Sequence, residues 1–256
     1  MEPFTRLIWK NSENRKNWIN KIHKASQVYH ATELATFEMG LRKAISYHIH
    51  PENLEKQLEM LAKGGSVFLP IRRSKIYSGF SHRHIDPQPG DPYFVYGVLA
   101  KTLEDAELFR KCSAGQKVDH GSIGQLLGYP ECCIRFFEKV WGPVIDPIFE
   151  AYGSESHVHP YCNQALRYFG LRITPHLCCS SDCKATIEWG RQWFSVMEGL
   201  DKEAAGWLRE LLSLPFTWNC LNGAAIVDTD LFRGVTNSNV SKKEVIVKNK
   251  GWSKLI

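Results

Sequence analysis

Two tight groups of cysteines constrain this chain more than any other feature it carries. Cys132 and Cys133 stand in GYPECCIRFF, and Cys178, Cys179 and Cys183 in PHLCCSSDCKATIEWG, so five of the chain's eight cysteines occupy two short runs. Each run falls where a helix is expected to begin. A helix start presents unpaired backbone N–H groups and a positive dipole end, which favour thiolate over thiol. Two such starts meeting in space make a pocket suited to a metal, an iron–sulfur cluster or a reactive cysteine.

The size of the chain makes disulfide staples unnecessary. With 256 residues, 43% of them hydrophobic and 12% aromatic, it can bury a substantial core. The opening MEPFTRLIWKNSENRK has no apolar run after its basic residues, and no stretch approaches a membrane span. These features predict a cytoplasmic protein without a membrane partner, in which clustered cysteines ligate or react.

The formal charge of +5 is concentrated at the ends: residues 1–30 and residues 241–256 each carry a net +4, which leaves −3 for residues 31–240. A nucleic-acid binder more often carries a basic stripe across its folded body. The expected partner is therefore a small molecule, with nucleic acid at the basic ends as the alternative.

Periodicity predicts an α+β, or irregular α/β, protein with a helical N-terminal portion, a small mixed sheet and cysteine-bearing helices. The expected parts are residues 1–65, a cysteine-rich core over 66–240 and a basic tail over 241–256. In ATELATFEMGLRKAISYHI, the spacing of Leu34, Phe37, Leu41, Ala44 and Ile45 predicts one helix. SVFLPI, YFVYGVLA and AAIVDT read as strands, VIVK as a further strand, and LPFTWNC as a loop. Thr102 with Asp105 three positions on is a helix-start signal. In VDHGSIGQLLGYPECCIRFFEKVWG, a short helix ends at Gly128 and another starts with Pro130 at its first position. This helix–turn–helix opens its second helix on Glu131 and two cysteines, a poor set for reading DNA bases.

Within the first cluster, helical neighbours point about 100° apart, so Cys132 and Cys133 are expected to share a cluster that spans more space than one ion. In the second, Ser180 or Ser181 is the natural N-cap, with Cys183 on the following turn and Cys178 and Cys179 on the incoming loop. His176 offers a nitrogen. Neither group has the C-x2-C spacing usual for structural zinc, whereas iron–sulfur ligation tolerates irregular spacing. The expected cofactor is an iron–sulfur cluster, 4Fe-4S, on Cys132, Cys133, Cys179, Cys183 and Cys178. Zinc is the alternative, and a metal-free nucleophile at Cys132 or Cys179 a third reading. Cys162 is a fourth ligand or a neighbour, and Cys112 and Cys220 are buried thiols.

The run IGQLLGYPECCIRFF, together with PHLCCSSDC, resembles a prokaryotic domain-of-unknown-function family whose signature is L-G-Y-P-x-C-C followed by an aromatic pair, with a downstream C-x3-C segment. The resemblance covers roughly residues 90–235. It implies that the two cysteine segments belong to one site, and it implies no particular reaction.

Polar residues gather after AAIVDT, a common place for substrate contacts. Asp228 and Asp230, with His157 and His159, are the candidate catalytic groups; Arg233, Thr229 and Ser238 are the candidate substrate contacts, Arg233 through its fork. His82 and His84 lie two apart in a polar loop. With three cysteines on a four-iron cluster, one iron stays open as a Lewis acid or sulfide carrier. The sequence thus predicts an iron–sulfur lyase or sulfur transferase, working by elimination, hydration or sulfur transfer on a small polar or anionic substrate. The alternatives are a zinc-stabilised module that binds nucleic acid or protein, and a cysteine-nucleophile enzyme without metal.

Overall fold

A computed structural model describes residues 5–75, 86–114, 118–140, 151, 158–164, 166, 171–221, 224–237 and 247–248. Eight strands lie among them: β1 (Thr5–Trp9), β2 (Ala44–Ile49), β3 (Val67–Lys75), β4 (Tyr93–Ala100), β5 (Phe216–Leu221), β6 (Ala224–Thr229), β7 (Phe232–Asn237) and β8 (Val247–Lys248). The helices are α1 (Ser12–Glu38), α2 (Leu54–Lys63), α3 (Leu103–Ala114), α4 (His120–Leu126), α5 (Glu131–Val140), α6 (Lys184–Leu200) and α7 (Lys202–Ser213). Both sheets are antiparallel and helices stand between and beside their strands without parallel crossovers, so the fold is α+β, as the sequence predicts. The chain forms two compact units, Met1–Thr32 with Arg135–Ile256 and Glu33–Ser78 with His82–Ile134; α1 and α5 each run from one into the other.

The first unit holds an antiparallel sheet in the order β1-β7-β6-β5-β8. LPFTWNC, expected as a loop, supplies β5, and among the described residues VIVK pairs with it at Val247–Lys248. Helix α1 starts at Asn11, whose side chain accepts from the Asn14 N–H at 2.7 Å. It buries Trp18, Ile22, Ala25 and Tyr29, alternating steps of four and three that keep one face inward. Tyr29 lies 5.4 Å from Trp193 of α6, which stacks on Trp189 at 5.1 Å. Helix α7 is capped by Asp201, which accepts from the Ala204 N–H at 2.9 Å.

In the second unit the sheet order is β2-β4-β3. Ala44, Val98 and Ala100 pack with Ala106 and Phe109 of α3, while Ile45, Ile49 and Leu99 pack with Phe37 and Leu61. Gly97 of β4 leaves no room for a side chain, because a Cβ there would strike the Leu69 carbonyl and the Phe68 ring. Pro70, within β3, is placed where the register shifts, the position at which a strand tolerates its missing N–H.

The helix expected across Ala44 and Ile45 ends earlier, at Glu38. Gly40, at φ 77°, donates to the Phe37 carbonyl and Leu41 to the Thr36 carbonyl, both at 3.0 Å, which closes the helix in a Schellman turn. Ala44 and Ile45 then point to opposite sides of a strand, each into its own core. The Thr102–Asp105 start of α3 is present as read: the Asp105 N–H donates to the Thr102 hydroxyl at 3.1 Å, which donates back at 3.0 Å.

Candidate metal centre

The first cysteine pair is carried by a tightly closed turn. Asp119 caps α4 by accepting the Ser122 N–H at 3.0 Å. Gly128, at φ 71°, then donates to the Gln125 carbonyl at 3.0 Å and Tyr129 to the Gly124 carbonyl at 2.9 Å, a second Schellman turn. A Cβ on Gly128 would sit 3.0 Å from the Leu41 carbonyl oxygen, so glycine is required there for space as well as for φ. The buried Arg42 donates through Nε to the Leu127 carbonyl at 3.1 Å, and its guanidinium stands 6.0 Å from the Tyr129 ring centre. The Pro130 carbonyl accepts from Cys133 and Ile134, so Pro130 precedes the first helical residue and α5 opens on Glu131, Cys132 and Cys133. No local pattern in the sequence singles out Arg42, whose role depends on an 85-residue separation from its partner.

The second group enters differently from the expectation. Cys183 itself occupies the N-cap of α6, its carbonyl accepting the Ile187 N–H at 2.9 Å, and its side chain makes no capping bond. Ser180 and Ser181 are engaged elsewhere: the Ser180 hydroxyl donates to Asp182 at 3.1 Å, and the Ser181 carbonyl accepts the His159 N–H at 2.8 Å.

The sulfur atoms of Cys132, Cys133, Cys179 and Cys183 all lie within 4.8 Å of one another. Cys132 and Cys133, expected to diverge, have their Sγ atoms 3.9 Å apart. Cα atoms of neighbouring residues are already only about 3.8 Å apart, and side-chain rotation at the helix start is enough to converge the sulfurs. Cys133 and Cys183 are buried, while Cys132 and Cys179 are partly exposed. Four thiols in this arrangement can hold a metal ion.

Cys178 stands apart from this quartet. Its Sγ donates to the Cys162 carbonyl at 3.2 Å, and both residues are buried. The hydrogen bond with the Cys162 side chain, reinforced by burial, pushes the Cys178 thiol well above the ordinary thiol range. Cys162 is a neighbour of the site, its own Sγ reaching the Cys183 carbonyl at 3.9 Å. His176 is buried, with Nε2 3.0 Å from the Thr186 hydroxyl. Cys112 donates to Asp119 at 3.9 Å.

The polar residues at the β6–β7 turn have roles at that end of the sheet. Asp228 pairs with Lys10 at 2.9 Å and stands opposite Arg233 in the strand register. Thr229 is buried and its hydroxyl accepts the Leu231 N–H at 3.2 Å, while the carbonyl of the exposed Asp230 accepts from Asn14 at 3.4 Å. His159 caps the short 3-10 turn Pro160–Cys162, its Nδ1 accepting the Tyr161 N–H at 3.2 Å. His157, Ser238, His82 and His84, and the side chains of Arg233 and Cys220, lie outside what is described.

Fold and site define an α+β protein with a four-thiol centre able to hold a metal ion, and no described helix is long and apolar enough to cross a membrane. No family model, curated protein or solved structure matches the chain.

Proposed function

We propose that the protein is a metal-stabilised binding module in which Cys132, Cys133, Cys179 and Cys183 hold one tetrahedrally coordinated ion, zinc by preference. The observation that carries this reading is the spacing of the sulfurs, all within 4.8 Å with one pair at 3.9 Å. A tetrahedron with metal–thiolate bonds of about 2.3 Å has edges of about 3.8 Å, so a small contraction brings all four onto one ion. A four-iron cluster asks its thiolates to bind separate irons around a multi-atom core, which this spacing does not favour. Four thiolates on one ion also leave no open position for substrate, the mark of a structural site rather than a catalytic one.

Lewis-acid elimination, hydration and sulfur transfer therefore give way to binding, and contacts with a partner fall on the protein surface. The L-G-Y-P-x-C-C resemblance accords with this, since it implies that the two segments form one site. With substrate chemistry set aside, the alternative partner comes forward: a polyanion at the basic ends, where residues 1–30 and 241–256 each carry a net +4. Elemental analysis of anaerobically purified protein tests the metal. One zinc per chain in a colourless protein is expected; a brown protein carrying iron and acid-labile sulfide overturns the proposal in favour of a cluster. For the partner, binding to a polyanion that weakens steeply with salt is expected, and salt-independent or absent binding removes that part.

A further inference from the structure

Six cysteines gather around α6's entry and α5's first turn, yet only four of them form the quartet. Cys162 and Cys178 are more deeply buried than any of the four, at 0% and 1% exposure, and both turn their thiols toward backbone carbonyls. Their connections follow a pattern. The Cys178 thiol donates to the Cys162 carbonyl at 3.2 Å, and Cys178 is the residue next to the ligand Cys179. The Cys162 thiol in turn reaches the carbonyl of the ligand Cys183 at 3.9 Å. Cys162 therefore touches both sides of the ligand loop, accepting from one and donating to the other.

The turn that carries Cys162 is anchored to the same loop and helix by further contacts. The His159 N–H donates to the Ser181 carbonyl at 2.8 Å. The Tyr161 side chain lies against Gly190 of α6, so closely that a Cβ there would come within 3.0 Å of it. The Tyr161 carbonyl accepts from the Thr174 hydroxyl at 3.1 Å, and that hydroxyl from Gln164 at 3.0 Å. The turn is thus held at several points against the loop and helix that carry Cys179 and Cys183.

We propose that Cys162 and Cys178 are positioning residues of the metal centre: their thiols bind no metal, and instead tie the Cys179–Cys183 loop to the Pro160–Cys162 turn so that both sulfurs arrive preset. The inference rests on the proposed single-ion site and deepens it. Groups that orient ligands from outside the coordination sphere commonly change metal affinity by about 10–100-fold when removed.

The test uses the full chain loaded with cobalt(II), comparing wild type with Cys162→Ala, Cys162→Ser and Cys178→Ala. Cys162→Ala is expected to bind one cobalt with all four thiolate charge-transfer contributions intact, to shift the visible ligand-field bands, and to release the ion to a chelator about 10–100-fold faster. Cys162→Ser, which keeps a donor, is expected to restore most of that loss. Should Cys162→Ala not fold, Cys178→Ala is read by the same release rate and bands. The proposal is overturned if the alanine variants release cobalt at the wild-type rate, if serine rescues nothing, or if Cys162→Ala loses thiolate charge-transfer intensity, which would make Cys162 a ligand. Failure of the wild type itself to take up cobalt overturns the underlying single-ion reading, an outcome distinct from each of these.

Discussion

Cys132 and Cys133, consecutive in the chain, bring their Sγ atoms to 3.9 Å at the first turn of α5. That is close to the separation of two thiolates on one tetrahedral metal, about 3.8 Å. Replacing Cys133 by Ser should therefore lower metal affinity more than about 100-fold, beyond the usual cost of a change outside the coordination sphere. Competition with a chromophoric chelator measures it. Cys112→Ser serves as the control, since Cys112 is bonded to Asp119 and lies outside the quartet; it should leave the affinity unchanged.

Metal removal should destabilise the fold. Free ion at a thousand times its dissociation constant adds about 4 kcal/mol to a protein that binds it only when folded. Chelation should accordingly lower the melting temperature, with recovery on adding zinc back. An unchanged melting temperature after verified metal removal would show that the thiols contribute nothing to stability through metal.

Gly190→Ala tests the contact between α6 and the Pro160–Cys162 turn. The new methyl would sit 3.0 Å from the Tyr161 Cβ and Cγ, tighter than ordinary contact. A loss of about 1–3 kcal/mol, as for other overpacked sites, should appear in denaturant unfolding at constant m-value.

Asp119 provides a pH-dependent case. The Ser122 N–H, followed by the Ser122 hydroxyl, holds its carboxyl below the ordinary carboxylate range. A depressed folded-state pKa contributes stability that is present above the unfolded value and is lost as pH falls through the folded one. Asp119→Ala should cost about 1 kcal/mol near neutrality, the usual worth of a helix cap. That difference should shrink as pH drops below about 4, and thermal melts of both proteins across this range will show whether it does.

Features governed by near neighbours were legible in the sequence. The Thr102–Asp105 start of α3, the glycine at 128 and the two cysteine groups all depend on spacing of a few residues. The end of α1 was not legible, because a helical spacing through Phe37, Leu41 and Ala44 can also be spelled by a helix, a glycine turn and a strand with two buried faces. At the site, the sequence offered Cys178 and Cys179 as equals. Only the position of the Pro160–Cys162 turn directs one to a carbonyl and leaves the other with the quartet. Likewise Ser180 and Ser181 were the better caps by residue type, yet Cys183 takes that place, with the Ser180 hydroxyl on Asp182 and the Ser181 carbonyl on the His159 N–H.

A cysteine at the N-cap of α6, where serine would serve the helix better, gives up local stability in exchange for a thiol able to ligate a metal ion. The exchange reverses when an ion arrives, because a metal-bound thiolate brings negative charge to the positive end of the helix dipole. An ion on Cys183 would therefore stabilise a first turn of α6 that is already wound, linking occupancy of the centre to that turn's resistance to opening. Hydrogen exchange at the first-turn amides of α6 would then gauge how full the site is.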